Sequence, residues 1–251
     1  MRTAARSAGF LALLAAVLAG SWVVGATVRP AHPAAAADTV TLAARTAELP
    51  AGVPGDYVFA LTGPVDGPPR LTVVRRDAAV LGHAVPATGP DGLWHAPLTL
   101  PGPGPYRVLV AVTAGGTPRD LTADLVVPGP FTPQPPTPSR VAEADGYRVR
   151  LDGDLVPGTS GQVFATVSRG GAPVTDLEPL DGAFGRLTAV RVGDLAPGRV
   201  LPDAAAPAPG DRAGPGIAFG VEVPTAGTYR LFLDFRHRGV PHSAVFTVPT
   251  A

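Results

Sequence analysis

Arg70-Leu-Thr-Val-Val-Arg75 and Arg186-Leu-Thr-Ala-Val-Arg191 are two copies of one segment, and reading them as such decides the fold. Without a gap the match continues to Pro86 and Pro202, with seven of 17 positions identical. Similarity resumes where Pro103-Gly-Pro-Tyr106-Arg-Val-Leu-Val110 parallels Ala226-Gly-Thr-Tyr229-Arg-Leu-Phe-Leu233. Each of these runs is followed by a glycine turn and a closing segment that ends in Val-Pro. A repeat at this spacing marks a duplicated domain.

Around the repeats the apolar period is mostly two. Tyr57–Leu61, Leu71–Val74, Tyr106–Val112, Leu121–Val127, Gly161–Val167, Ile217–Val223, Tyr229–Phe235 and Ala244–Val248 therefore read as strands. Beyond the N-terminal segment no stretch reads as a helix of 12 or more residues. A Gly-x-Tyr entering a strand near the end of a domain has the form of a tyrosine corner; an ordinary half-buried strand tyrosine is the other reading of Tyr106 and Tyr229. The expected fold is all-β, two tandem immunoglobulin-like β-sandwiches after one N-terminal hydrophobic helix.

Glycine and proline number 31 each, a level at which disorder competes with folding. Most of them punctuate the strands. They concentrate without strands only around Pro128–Ser139 and Pro202–Pro215. The expected organisation is a signal anchor or signal peptide over residues 1–37, a first sandwich over 38–128, a proline-rich linker over 129–139 and a second sandwich over 140–251. As polyproline the linker is a semi-rigid spacer that spans at most ~35 Å.

Arg2 and Arg6 precede Ser7–Val28, an uncharged, largely apolar run of 22 residues. As a helix it rises ~33 Å, enough to cross a bilayer core. Its length favours a retained anchor, whereas Ala34–Ala37 offers the small residues of a cleavage site. The two arginines place the remainder of the chain outside the cytoplasmic membrane. The expected location is therefore single-pass in the cell membrane, or secreted after cleavage near Ala37.

The net charge is +0, from 20 basic and 20 acidic residues, which gives no field to hold nucleic acid. Cysteine is absent, so disulfides, thiolate sites and lipid attachment at cysteine are excluded.

Several motifs carry a family resemblance: Leu71–Asp77, Gly92–Pro101, Leu180–Leu187, Gly193-Asp-Leu195, Gly227–Phe235 and His242–Val248. With them the chain resembles a family of exported actinobacterial proteins, anchored by one helix and built of two such sandwiches. The resemblance implies a histidine before the motif leucine of each copy and a His-x-His-Pro at the end of the same hairpin, clusters suited to copper or zinc. In this chain those positions hold Arg70, Arg186, His83-Ala-Val-Pro86 and Arg199-Val-Leu-Pro202.

No site residue is expected to be catalytic, and no cofactor is expected. The metal candidates are His83, His237 and His242, with His237 and His242 read as turn-flanking, solvated side chains at one hairpin. Asp152-Gly-Asp154 supplies too few oxygens for calcium. Neither Ser160 nor Ser243 has a recognisable base, and Glu143, Glu178 and Glu222 read as solvated. The functional expectation is a monomeric, non-catalytic binding or structural protein at the outer face of the membrane. Its partners would be the membrane, through the N-terminal helix, and a protein, but no nucleic acid. The alternatives are an exported copper- or zinc-binding protein and a hydrolase whose site does not show in sequence.

Overall fold

The computed structural model describes residues 39–203, 205–208 and 210–251; the export segment expected over residues 1–37 lies outside them. Among the described residues every regular element is a strand. The first copy contains β1 (Thr41–Ala44), β2 (Pro54–Thr62), β3 (Arg70–Arg75), β4 (Leu81–Ala84), β5 (Ala87–Thr88), β6 (Trp94–Thr99), β7 (Gly104–Ala114) and β8 (Thr117–Val127). They form two sheets, in the orders β1-β2-β6-β5 and β4-β3-β7-β8. Alternation along the strands turns Tyr57, Phe59 and Leu98 of one sheet and Leu71, Val108 and Leu125 of the other into a common core.

The second copy contains β9 (Val141–Ala144), β10 (Tyr147–Asp152), β11 (Ser160–Arg169), β12 (Ala172–Pro173), β13 (Arg186–Arg191), β14 (Arg199–Pro202), β15 (Gly216–Glu222), β16 (Thr228–His237) and β17 (Val240–Pro249). The sheet β13-β16-β17 faces the sheet β14-β15-β11-β10-β9. The core between them includes Val149, Phe219, Leu231 and Phe235. Four strands against four in the first copy, and three against six in the second once β12 beside β11 is included, keep the two-sheet architecture of an immunoglobulin-like sandwich.

The repeated strands β3 and β13 occupy equivalent places in their sandwiches. Arg75 lies opposite Tyr106 on the neighbouring strand, and Arg191 opposite Tyr229. Both tyrosines are tyrosine corners: each ring is fully buried, and the hydroxyls donate to the carbonyls of Gly102 at 2.7 Å and Thr225 at 2.9 Å.

Past Arg75 and Arg191 the ungapped match breaks down. The amide of Ala78 bonds back to Arg75 O, but it is Leu195, four residues on, that bonds back to Arg191 O, so the second turn is one residue longer. The strands that follow then join different sheets: β4 pairs with β3, whereas β14 pairs with β15. His83 and Arg199, aligned in sequence, are therefore on different sheets.

The linker does not hold the two sandwiches apart. Phe131 lies under the Arg75 guanidinium, 5.3 Å from its ring centroid, and against Gly104 so closely that an added Cβ would meet it at 2.8 Å. Ser139 pairs with Thr247. Between the two cores a third buried cluster brings together Val74, Ala78 and Leu109 of the first copy with Val190, Leu195 and Phe232 of the second.

These six residues are three equivalent pairs. Val74 and Val190 share one place in the repeat, and so do Leu109 and Phe232. Ala78 and Leu195 both sit at positive φ, 54° and 59°, in the turn after the repeated strand. The seam is thus an isologous interface within one chain, each copy offering the same patch to the other. Burying this much side chain stabilises the pairing by several kcal/mol, at about 1.5–3 kcal/mol for each large aliphatic or aromatic residue.

Candidate functional site

Where the outer faces of β3 and β13 meet, Thr72 and Thr188, also equivalent in the repeat, flank His83 from β4. Thr72 Oγ1 lies 3.2 Å from His83 Nδ1, and Thr188 Oγ1 lies 3.4 Å from Nε2. Asp234 Oδ2 is 3.5 Å from the same Nε2. A carboxylate beside Nε2 assigns the proton there and leaves Nδ1 to accept from Thr72. Burial, reinforced by the charge of Arg186, lowers the His83 pKa to about 4, against the opposing pull of Asp234 and Asp181. The ring is therefore neutral at physiological pH.

Arg186 completes the cluster. Its Nε and one terminal nitrogen donate to Asp234 Oδ2 at 3.2 and 2.9 Å, and its other terminal nitrogen donates to Asp181 Oδ2 at 2.7 Å. Beside these groups opens a cleft of about 270 Å³ lined by Leu81, Gly82 and His83 of the first sandwich and by Leu180, Arg186, Asp234, Pro241, His242 and Ser243 of the second. The volume lies just under the ~300 Å³ at which pockets begin to enclose a whole small molecule. It suits one side chain or terminal group.

The three histidines singled out in the sequence fare differently. His83 and His242, which belong to different copies, line the same cleft. His237, expected to be solvated, is 3% exposed. Its Nε2 donates to Asp176 at 2.9 Å, and its Nδ1 accepts from the Tyr147 hydroxyl at 2.6 Å. Arg169 also donates to that hydroxyl and stacks on the Tyr147 ring. His242 is largely buried as well, with Nδ1 bonded to Asp145 at 2.8 Å and its ring centroid 4.5 Å from that of Tyr147. The Tyr147 ring thus contacts both imidazoles, and those of His83 and His237 have both nitrogens engaged by protein groups. Among the described residues no group of three or more potential ligands is arranged to hold a metal ion.

Other acidic candidates are absorbed by ion pairs. Asp152 bonds Arg150 and Asp154 bonds Arg140. Glu178, expected to be solvated, accepts from the Gly239 amide and pairs with Arg212. Among the described residues neither Ser160 nor Ser243 is hydrogen-bonded to a histidine.

Sequence reading passed over His95, which lies between Asp56 at 2.6 Å and Asp91 at 3.1 Å. The two carboxylates, Asp56 foremost, raise its pKa. It also passed over Asp234 and Asp181. The Asp234 signal was available, since an acid alternates with core residues in Leu231-Phe-Leu-Asp-Phe235 and so faces away from the core of its own sandwich.

Comparison with known proteins adds a match to one domain family. Residues 142–251 match the family described as "Domain of unknown function (DUF8832)". No curated protein matches the chain. Among solved structures, a marsupial T cell receptor is 10% identical, with a TM-score of 0.29, over 85% of this chain and 100% of that one. The BSP domain of a biofilm associated protein is 13% identical, with a TM-score of 0.26, over 84% of this chain and 30% of that one. The D00-D0 domain of intimin is 9% identical, with a TM-score of 0.25, over 83% of this chain and 99% of that one. At such identity nothing of those proteins' roles transfers.

Proposed function

We propose that this chain is a non-catalytic binding or structural protein, exported by its N-terminal segment and acting as a monomer at the outer face of the cytoplasmic membrane, where the seam between its two sandwiches meets a protein partner. The observation that carries the reading is the seam itself. It joins the two sandwiches through a shared apolar cluster and leaves, at its edge, a cleft to which both contribute. Clefts between domains are where ligand sites concentrate. The export segment and the resemblance to anchored actinobacterial proteins support the location. The engaged nitrogens of His83 and His237 speak for a binding surface over either a metal centre or a hydrolase.

The test is capture of the full-length chain from its own membrane, with a photo-crosslinking residue at Leu81 and, separately, at Leu180. A protein crosslinked at both positions is the expected result. Turnover of an ester, peptide or glycoside by the purified chain, lost on Ser243→Ala, would replace this reading with the hydrolase.

A further inference from the structure

We propose that the seam cleft receives one basic side chain, an arginine, from a partner protein. The inference rests on the binding reading above and names its chemistry.

Among the described lining residues Arg186 is the one arginine, and it faces two carboxylates, Asp234 in the lining and Asp181 beside it. His83, held between Thr72 and Thr188, contributes no positive charge. The Nδ1 of His242 is bonded to Asp145. Asp234 and Asp181 each present only Oδ2 to Arg186, so among the described residues both Oδ1 atoms and the Ser243 hydroxyl lack a protein donor. Two carboxylates around one guanidinium, with spare acceptors, complement a second cation.

The walls select among cations. Leu81, Leu180 and Pro241 line the cleft together with the polar groups, so an occupant meets apolar surface as well as a carboxylate. A guanidinium is planar, weakly hydrated and forked to fit a carboxylate, whereas an ammonium holds its water more tightly. The volume of about 270 Å³ admits one such side chain. Asp181, whose side chain is 62% exposed at a turn, is the carboxylate free to swing from Arg186 to the newcomer.

The experiment uses the full chain in detergent micelles, titrated with N-acetyl-L-arginine amide, its uncharged analogue N-acetyl-L-citrulline amide and the anionic N-acetyl-L-glutamate amide. Binding is read from the methyl signals of Leu81 and Leu180. The arginine probe should bind with a Kd on the order of a millimolar, as expected of so few contacting atoms, and the other two should not. Asp181→Asn, a change in an exposed side chain, should weaken binding about threefold or more.

Arg186→Gln decides the sign of the site. Removing the resident cation should tighten the arginine probe. If the glutamate probe binds instead and Arg186→Gln abolishes it, the cleft is an anion site and the proposal is overturned. If no probe moves the two leucines, the proposal also fails, while a protein crosslinked at Leu81 and Leu180 would leave the broader binding reading standing.

Discussion

Thr72 and Thr188, equivalent residues of the two repeats, stand at opposite nitrogens of a single imidazole, that of His83. In an isologous interface a residue on the axis meets its own counterpart. Here it cannot, because the strand that would carry the second histidine position, β14, has joined the other sheet and taken Arg199 with it. One ring with two nitrogens serves both threonines. The symmetric seam is therefore broken at one point, and beside that point the cleft opens.

Because Leu109 and Phe232 are equivalent and share the seam cluster, they should be energetically coupled. Phe232→Ala should cost about 3 kcal/mol, and calorimetry should then resolve two transitions where the wild type shows one. In a double-mutant cycle with Leu109→Ala the coupling should exceed about 0.5 kcal/mol. Strict additivity would mean that the two side chains do not share an interface.

The tyrosine corners should be worth similar amounts. Tyr106→Phe and Tyr229→Phe each remove a hydroxyl that donates to a carbonyl four residues earlier, and each should destabilise its sandwich by about 1–2 kcal/mol in urea unfolding. An unchanged midpoint in both variants would reduce them to ordinary strand tyrosines.

Copper or zinc should not bind stoichiometrically. His237 is held by Asp176 and Tyr147, His83 by two threonines, and the Nδ1 of His242 by Asp145. Too few nitrogens remain for a three- or four-ligand site. Isothermal titration with Cu(II) at neutral pH should give only weak, non-stoichiometric heats; a micromolar site lost on His242→Ala would contradict this.

What the sequence shows, and what it hides, follows from how many faces of a strand are buried. Tyr57-Val-Phe and Leu121–Val127 alternate because one face meets the core and the other meets water, and such strands read easily. The seam strands do not alternate. Val73-Val74, Val108-Leu109-Val110 and Leu231-Phe232-Leu233 are continuous apolar runs, because each sheet is buried on both faces. In sequence such a run reads as a strand without saying what covers its second face. The proline run between the copies reinforced the idea of a spacer, since composition reports stiffness and not where a chain is tied. The ungapped repeat match concealed the one-residue insertion at Val192-Gly193, and with it the departure of β14.

His83 should make stability depend on pH in a definite direction. Its folded pKa of about 4 lies below the ordinary 6.5, so between those values the unfolded chain binds the proton that the folded chain refuses. Stability rises with pH wherever the unfolded state holds more protons. The contribution is therefore complete above about pH 6.5, declines as the pH falls toward 4, and is level below that. Its size is up to about 3 kcal/mol, at 1.36 kcal/mol per pKa unit. Arg186 opposes protonation of the ring, whereas Asp234 and Asp181 favour it, so Arg186→Gln should shrink the effect. The check is the difference in unfolding free energy between the wild type and His83→Gln, measured from pH 8 to pH 4, since titrations elsewhere cancel in that difference. A curve that bends downward below pH 6.5 is expected; two parallel curves would mean that the ring titrates as freely in the folded chain as in the unfolded one.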